Sequence, residues 1–354
     1  MLKKRDKTLS RAEFLRLMGF SSLGMLLPAG FGLYGSRNRE TSNNKDDFIE
    51  KLFAESLIID GLVNVSLKKS KGTTHLVPGE IKRLTGIDVG NHSTRVNRLV
   101  NRNRWVELHS DALLRIDKAS DIETARKTNR YGIIYYAQLG FDLRGSIEPL
   151  AKWKEEGLRV LQITYGDNEL GGGSRSDDLP LSSLGKKVVK ELNRLRMVVD
   201  ISHCGRRTTL DVTEASSDPV TANHANAERL TNNGRNKSDE ELKAIARTGG
   251  VVGITNINRY LFKDSSAPAT VDDFAAHVDY MVEKIGIDHV GISSDGSLDG
   301  GLRYEVDYSD PFLCSSERWK HVARRLHKMG YSPEDLQKIL GLNFKRIYDQ
   351  VLEP

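Results

Sequence analysis

The chain has 354 residues, 38% hydrophobic and 29% charged, with a formal net charge of +5, which is long enough to bury the core of one α/β barrel or two smaller domains. The charge is unevenly placed: residues 1–45 carry nine Lys/Arg against three Asp/Glu, and the remainder sums to −1. A near-neutral body excludes a phosphate-binding surface as the main function, so no nucleic-acid partner is expected.

The N-terminus has the layout of an export signal: a basic stretch from Met1 to Arg16, an uncharged run from Leu17 to Leu33, then polar residues. The uncharged run is shorter than the ~20 apolar residues of a spanning helix, so no stable membrane span is expected. "SRAEFLRL" (Ser10 to Leu17) resembles a twin-arginine signal with Ala12 in place of the second arginine. Residues 1–45 therefore read as a degenerate export signal with a polar linker, which directs the product to the periplasm or the exterior. An amphipathic N-terminal helix is the alternative. Residues 46–354 read as a single domain.

From there helix and strand alternate. Strands are predicted at 57–65, 132–138, 159–165, 197–203, 219–224, 250–257 and 289–295, each a short β-branched or apolar run. Helices are predicted at 95–105, 181–195, 238–248 and 270–286, and "SDEE" (238–241) has the spacing of a capping box. Seven apolar strands with helical crossovers imply a parallel sheet covered on both faces, and an eighth strand hidden in 66–131 would close a (β/α)8 TIM-type barrel. A doubly wound open sheet is the alternative, weakened because no Gly-x-Gly-x-x-Gly follows the first strand. Cys204 and Cys314 form no Cys-x-x-Cys pair and read as buried thiols, with a single bridge between them the alternative.

Polar residues recur at the strand ends: Gln138, Tyr165, His203, His224 and Asp295. In a β/α barrel those ends share one face, where active sites are built. Imidazole nitrogens and a carboxylate are the donors of a catalytic zinc, which acidifies water for hydrolysis.

These residues lie in "LRVLQITYGDNELGGG" (158–173), "VVDISHCGRRT" (198–208), "HANAERLTNNGRNKSDEELKAIARTGGVVGI" (224–254), "GIDHVGISSDGSLDG" (286–300) and "LGLNFKRIYDQV" (340–351). In that order and spacing they resemble the membrane dipeptidase (renal dipeptidase) family of metallopeptidases, from about Leu57 to Leu352. The resemblance implies a (β/α)8 barrel of the metal-dependent hydrolase kind, hydrolysis of dipeptides with a free C-terminal carboxylate, and a binuclear zinc centre. A small peptide is the implied partner, and a homodimer is compatible with it. By the same resemblance His203 and His224 match the histidines of the second zinc and Asp295 the aspartate that shuttles a proton. Arg235 matches the arginine that grips the substrate carboxylate, a surface ion pair with Asp239 being its alternative role. Tyr165 stands where a histidine steadies the oxyanion in animal members.

The sequence also departs from the family. The first strand of family members ends in Asp-Gly-His-x-Asp, whereas this chain has Leu62 and Asn64 at the two ligand positions, and Gln138 stands for the glutamate that bridges the metals. Leucine has no lone pair and a neutral amide is a poor zinc ligand. Two readings follow. One is an altered or mononuclear metallodipeptidase with its metal on His203, His224 and either Gln138 or Asp295. The other is an exported, catalytically reduced homologue that binds peptides or cell-wall fragments without cleaving them. His75, His92 and His109 read as surface residues, with one of them as a substitute ligand the alternative.

Overall fold

The computed structural model describes residues 40–64, 78–138, 143–261, 268–297 and 315–353. The chain falls into two compact units, residues 1–44 and 45–354. The expected export run, His75 and Cys314 lie outside the described residues, and so does the side chain of Asn64. Where composition predicts linker up to Lys45, the backbone is already helical from Glu40, in a helix that ends at Glu55. Among the described residues no helix is long and apolar enough to cross a membrane.

The second unit is built on strands β1 (Ile59–Asn64), β2 (Val89–Ser93), β3 (Leu113–Arg115), β4 (Tyr131–Ala137) and β5 (Leu158–Gln162). It continues with β6 (Val198–Asp200), β7 (Val220–Ala222), β8 (Val251–Thr255), β9 (Val290–Ser293) and β10 (Gly296–Ser297). Pairing runs β1-β2-β4-β5-β6-β7-β8-β9, all parallel, with β3 added beside β4. The sheet returns on itself where β10, just past β9, pairs with β1, Val63 opposite Gly296. This is the nearly closed eight-stranded parallel barrel that the alternation implies, and the open doubly wound sheet is excluded. The strand hidden in 66–131 is β2. Its sequence, Val-Gly-Asn-His-Ser, offers one apolar side chain, which is why periodicity does not reveal it.

The crossover helices follow their sequence signals. Ser182 caps the helix Ser183–Arg194 by accepting the Gly185 N–H, and Ser238 and Glu241 form the expected reciprocal capping box at the start of Asp239–Arg247. The segment read as helix over 95–105 is a 3-10 turn, Val96–Arg98, followed by the α-helix Leu99–Leu108.

Inside the barrel, alternate residues of successive strands form an apolar layer of Ile59, Val89, Ile134, Val160, Val198 and Val251, which packs on Phe344, Ile347 and Tyr348 of the C-terminal helix Asn343–Leu352. The turn before that helix lies against the start of β1, where a Cβ on Gly341 would meet the Leu57 carbonyl at 2.1 Å. The barrel is thus plugged from the N-terminal ends of its strands. Room for the Phe344 ring comes from glycine on three of them: a Cβ at Gly61, Gly253 or Gly291 would lie 2.9, 3.1 or 2.7 Å from it. A polar layer of Tyr136, Gln162, Asp200 and Asn223 lies beyond the plug, all buried. Because these glycines leave a socket that nothing else fills, Phe344→Ala should cost about 3–5 kcal/mol of stability. The urea midpoint at constant m-value measures it.

The closing seam is pinned by one carboxylate. Asp60 Oδ1 accepts the N–H groups of Leu62 (3.1 Å) and Ser294 (2.9 Å), while the Asp295 N–H and the Ser294 hydroxyl donate to the Leu62 carbonyl at 2.8 and 3.0 Å. Burial pushes the Asp60 pKa up to about 6, against the lowering effects of the Ser294 N–H and Arg318. A raised native pKa means the folded state holds the proton more tightly than the unfolded chain, so this contribution is present below about pH 4 and lost as pH rises through about 6. Asp60→Asn, which cannot titrate, should therefore gain on the wild type as pH goes from 4 to 7, by up to about 3 kcal/mol. A melting-temperature difference that is flat across this range would reject the assignment.

Candidate metal and peptide site

The polar residues that sequence places at strand ends fall one to three positions beyond them: Gln138 after β4, Tyr165 after β5, His203 after β6, His224 after β7 and Asp295 after β9. They are loop residues on the C-terminal face, not strand residues. Turning the corner frees their side chains from the inward-outward alternation of the sheet.

Two of them converge tightly. The Nε2 atoms of His203 and His224 are 3.0 Å apart, with the rings tilted by 60°. Gln138 approaches the same nitrogen of His224 with its amide at 3.4 Å, its other amide atom taking the Ser93 hydroxyl at 3.1 Å. Turning that amide over exchanges its nitrogen and oxygen, so Gln138 can present an oxygen donor at the same point. Tyr165 is 45% exposed and stacks its ring on His203, centroids 4.1 Å apart.

The two histidines are set by a buried carboxylate. Asp200 closes β6 and accepts the Ser202 N–H (3.0 Å) and the Tyr136 hydroxyl (2.8 Å) on one oxygen, and the Ser202 hydroxyl (2.8 Å) and Asn223 N–H (2.6 Å) on the other. The Ser202 oxygen in turn accepts the His224 N–H at 3.1 Å. The Tyr136 hydroxyl also faces Gln162 Oε1 at 2.7 Å, so a single phenolic proton meets two acceptors. Burial raises the Asp200 pKa, against the lowering effects of the Asn223 and Ser202 N–H groups.

A cavity of about 680 Å³ opens beside the pair, and its walls include Tyr165, His203, Arg235, Arg259 and Tyr260. Arg235 is buried, its two Nη atoms donating to the carbonyls of Ser202 and His224, with its guanidinium 5.7 Å from the Tyr260 ring centre. The alternative of an exposed pair with Asp239 is overturned, because Arg235 is buried with both Nη atoms on those carbonyls, while the Asp239 carboxylate takes the Tyr280 hydroxyl at 2.7 Å. The loop carrying Arg235 is anchored by Lys237, which is 1% exposed and donates to the Cys204 carbonyl, Thr209 Oγ1 and Glu241. Cys204 is the buried thiol expected, its pKa pushed up to about 11 by burial.

Asp295 stands apart from this group. It does not line the cavity, and its backbone sits in the left-handed region at φ 45° beside Leu62. Among the described residues no three His, Cys, Asp or Glu side chains form a metal-holding group. Leu62 is fully buried. His92 is also buried, contrary to the surface reading: it points away from the barrel interior to the Tyr131 hydroxyl at 2.8 Å, and burial lowers its pKa well below the usual value. His109 ends the helix that leads into β3, half-buried against Trp105. Sequence reasoning passed over the Tyr136–Asp200–Ser202 cluster, although an acid in the apolar "MVVDISH" signals it, and it passed over Arg175, Arg259 and Tyr260, whose loops carry no periodic signal.

A (β/α)8 barrel with paired histidines at its C-terminal mouth defines the class. The chain belongs to the membrane dipeptidase family (peptidase family M19), which matches residues 89–353. It is 28% identical over 252 residues to dipeptidase tcpJ of Claviceps purpurea, covering 70% of this chain and 57% of that protein. It is 29% identical over 252 residues to dipeptidase verJ of Clonostachys rogersoniana, covering 70% and 62%. The chain thus spans about three-fifths of the length of these curated relatives. Among solved structures, an amidohydrolase from Pseudomonas aeruginosa superimposes with a TM-score of 0.76 at 27% identity, covering 86% of this chain and 98% of that one.

The carboxylate under the histidines gives a direct test. Either placement of the amide in Asp200→Asn turns an NH2 toward a backbone N–H, that of Ser202 or of Asn223, and leaves a buried donor unpaired. The variant should lose about 1–3 kcal/mol of stability and should broaden or shift the His203 and His224 imidazole NMR signals; unchanged spectra would show that Asp200 does not set the pair.

Proposed function

We propose that the chain is a metal-dependent dipeptidase with a single cation on His203 and His224, cleaving small peptides that end in a free carboxylate. The observation that carries this is the approach of the two Nε2 atoms to 3.0 Å beside a cavity that Arg235 also lines. Two imidazoles on one tetrahedral zinc stand about 3.3 Å apart, so the pair fits one ion with little adjustment, and Gln138 is placed to add an amide oxygen. The donors do not fit a second ion: Leu62 offers none, and Gln138 is neutral where a bridging carboxylate belongs. When bound, the cation supplies Lewis acidity toward the scissile carbonyl and toward water.

The remaining roles are those of the chain itself. Arg235 is held rigid by the Ser202 and His224 carbonyls, and each Nη keeps a second N–H for the substrate carboxylate. Tyr165, stacked on His203, offers a phenolic donor to the developing oxyanion. The proton-shuttle role that the family resemblance gives Asp295 is not supported by its position outside the cavity wall. The dipeptidase names of the curated relatives support this reading. The second reading, a binder without turnover, is favoured by Leu62 and the neutral Gln138.

Zinc or manganese titration of the purified chain, elemental analysis and a dipeptide assay separate the two. One equivalent of metal with turnover is expected, and both should fall essentially to zero in His203→Ala and in His224→Ala. Peptide binding with neither metal nor turnover gives the second reading. Unchanged metal content in both variants rejects the site.

A further inference from the structure

Arg235 accounts for one end of a free dipeptide, its carboxylate. The other end is an α-ammonium with three N–H donors, and beside a bound cation it meets repulsion unless an acceptor of opposite charge stands near. Asp167 brings such an acceptor: it is exposed and lines the same cavity as Tyr165, His203 and Arg235.

Its own loop fixes the carboxylate without neutralising it. Oδ2 accepts the Ser176 hydroxyl at 2.6 Å and Oδ1 the Gly173 N–H at 2.9 Å, and these bonds hold its pKa below the usual value. Both donors are uncharged, and each oxygen keeps a second lone pair. The turn is closed tightly, since a Cβ on Gly173 would lie 2.6 Å from the Gly166 Cα. A Cβ on Gly166, which also lines the cavity, would meet nothing within 4 Å, so the space beside the turn is open.

Acid and guanidinium are anchored on either side of His203 in the chain. Gly173, whose N–H fixes Asp167, forms an antiparallel bridge with Cys204, the residue after His203. Arg235 donates to the carbonyl of Ser202, the residue before it. These anchor points are two residues apart and hence within ~7 Å, which is also the reach of an extended dipeptide. The two loops touch, since a Cβ on Gly234 would be 2.7 Å from the Ser174 carbonyl.

We propose that Asp167 receives the α-ammonium of the substrate while Arg235 holds its carboxylate, so that the site reads a zwitterion and discriminates free dipeptides from N-acylated ones. This rests on the dipeptidase reading and adds a specificity-determining residue to it.

The test compares Ala-Ala with N-propionyl-alanine, which lacks only the ammonium, on the metal-loaded full chain by calorimetric affinity and by kcat/KM. In Asp167→Asn the amide oxygen can keep the Gly173 N–H and the NH2 can face the Ser176 oxygen, so the loop is retained and the charge alone is lost. Affinity for Ala-Ala should fall about fivefold in this variant, and affinity for N-propionyl-alanine should not change. The wild-type advantage for Ala-Ala should be full at pH 6.5 and disappear as pH rises through about 8, where an α-ammonium loses its proton. Over that range Asp167 stays a carboxylate and the arginines of the wall stay charged, while His203 is common to both proteins and cancels in the comparison. Equal losses for the two ligands, no loss for either, or an advantage that persists unchanged at pH 9.5 overturn the proposal. An ammonium-dependent loss of affinity without hydrolysis by the wild type sinks the dipeptidase reading and spares the role of Asp167. Hydrolysis of Ala-Ala that Asp167→Asn leaves untouched does the reverse.

Discussion

A buried carboxylate holds the functional end of this barrel together. Asp200 lies on the barrel axis side of β6, removed from water, and that burial is unfavourable unless its oxygens are satisfied. Four donors from three neighbouring strand ends meet it, so the ends of β4, β6 and β7 are tied to a common point. His203 and His224 leave from two of those ends. Their convergence follows from the carboxylate beneath them, since the Ser202 hydroxyl that donates to Asp200 also accepts the His224 N–H.

The opposite end of the barrel solves a different problem. A parallel barrel of eight strands has an interior just wide enough for side chains to fill, and here a helix from the end of the chain supplies part of the filling. Phe344 occupies space that three glycines vacate, and Tyr348 meets Asn91 Nδ2 at 2.7 Å. With the N-terminal half closed by apolar packing, polar groups accumulate in the C-terminal half, where Asp60 pins the seam and Asp200 the histidines. Two acids buried in one barrel, both with raised pKa, are a stability cost that a purely structural interior would avoid.

The parts legible in the sequence were those with local signals. Apolar β-branched runs revealed seven strands, and Ser238 with Glu241 revealed a helix start. Histidines placed after apolar runs revealed the pair. What stayed hidden depended on distant neighbours. β2 is one valine followed by Gly-Asn-His-Ser, and only pairing with β1 and β4 makes it a strand. His92 looks like any polar-region histidine until its partner Tyr131, 39 residues away, is known. The cavity arginines sit on loops joined by Asn233, Gly234 and Tyr260, contacts that no periodicity encodes. The resemblance to the dipeptidase family named Arg235 but not the carbonyls that immobilise it.

Charge balance links the departures from the family to the cavity. Neutral Gln138 stands where the resemblance to the family implies a carboxylate, and that replacement makes the mouth of the barrel more positive. A cation on His203 and His224 would add further positive charge beside Arg235, within a wall that already holds Arg175 and Arg259. A carboxylate on the ligand would offset part of that charge, because like charges repel and solvent screens them only in part. On the proposed reading, the substrate's terminal carboxylate then supplies negative charge that the neutral Gln138 does not. Metal and a peptide's terminal carboxylate would each bind more tightly in the presence of the other, a reciprocity that linkage requires of any two ligands whose charges compensate across one site.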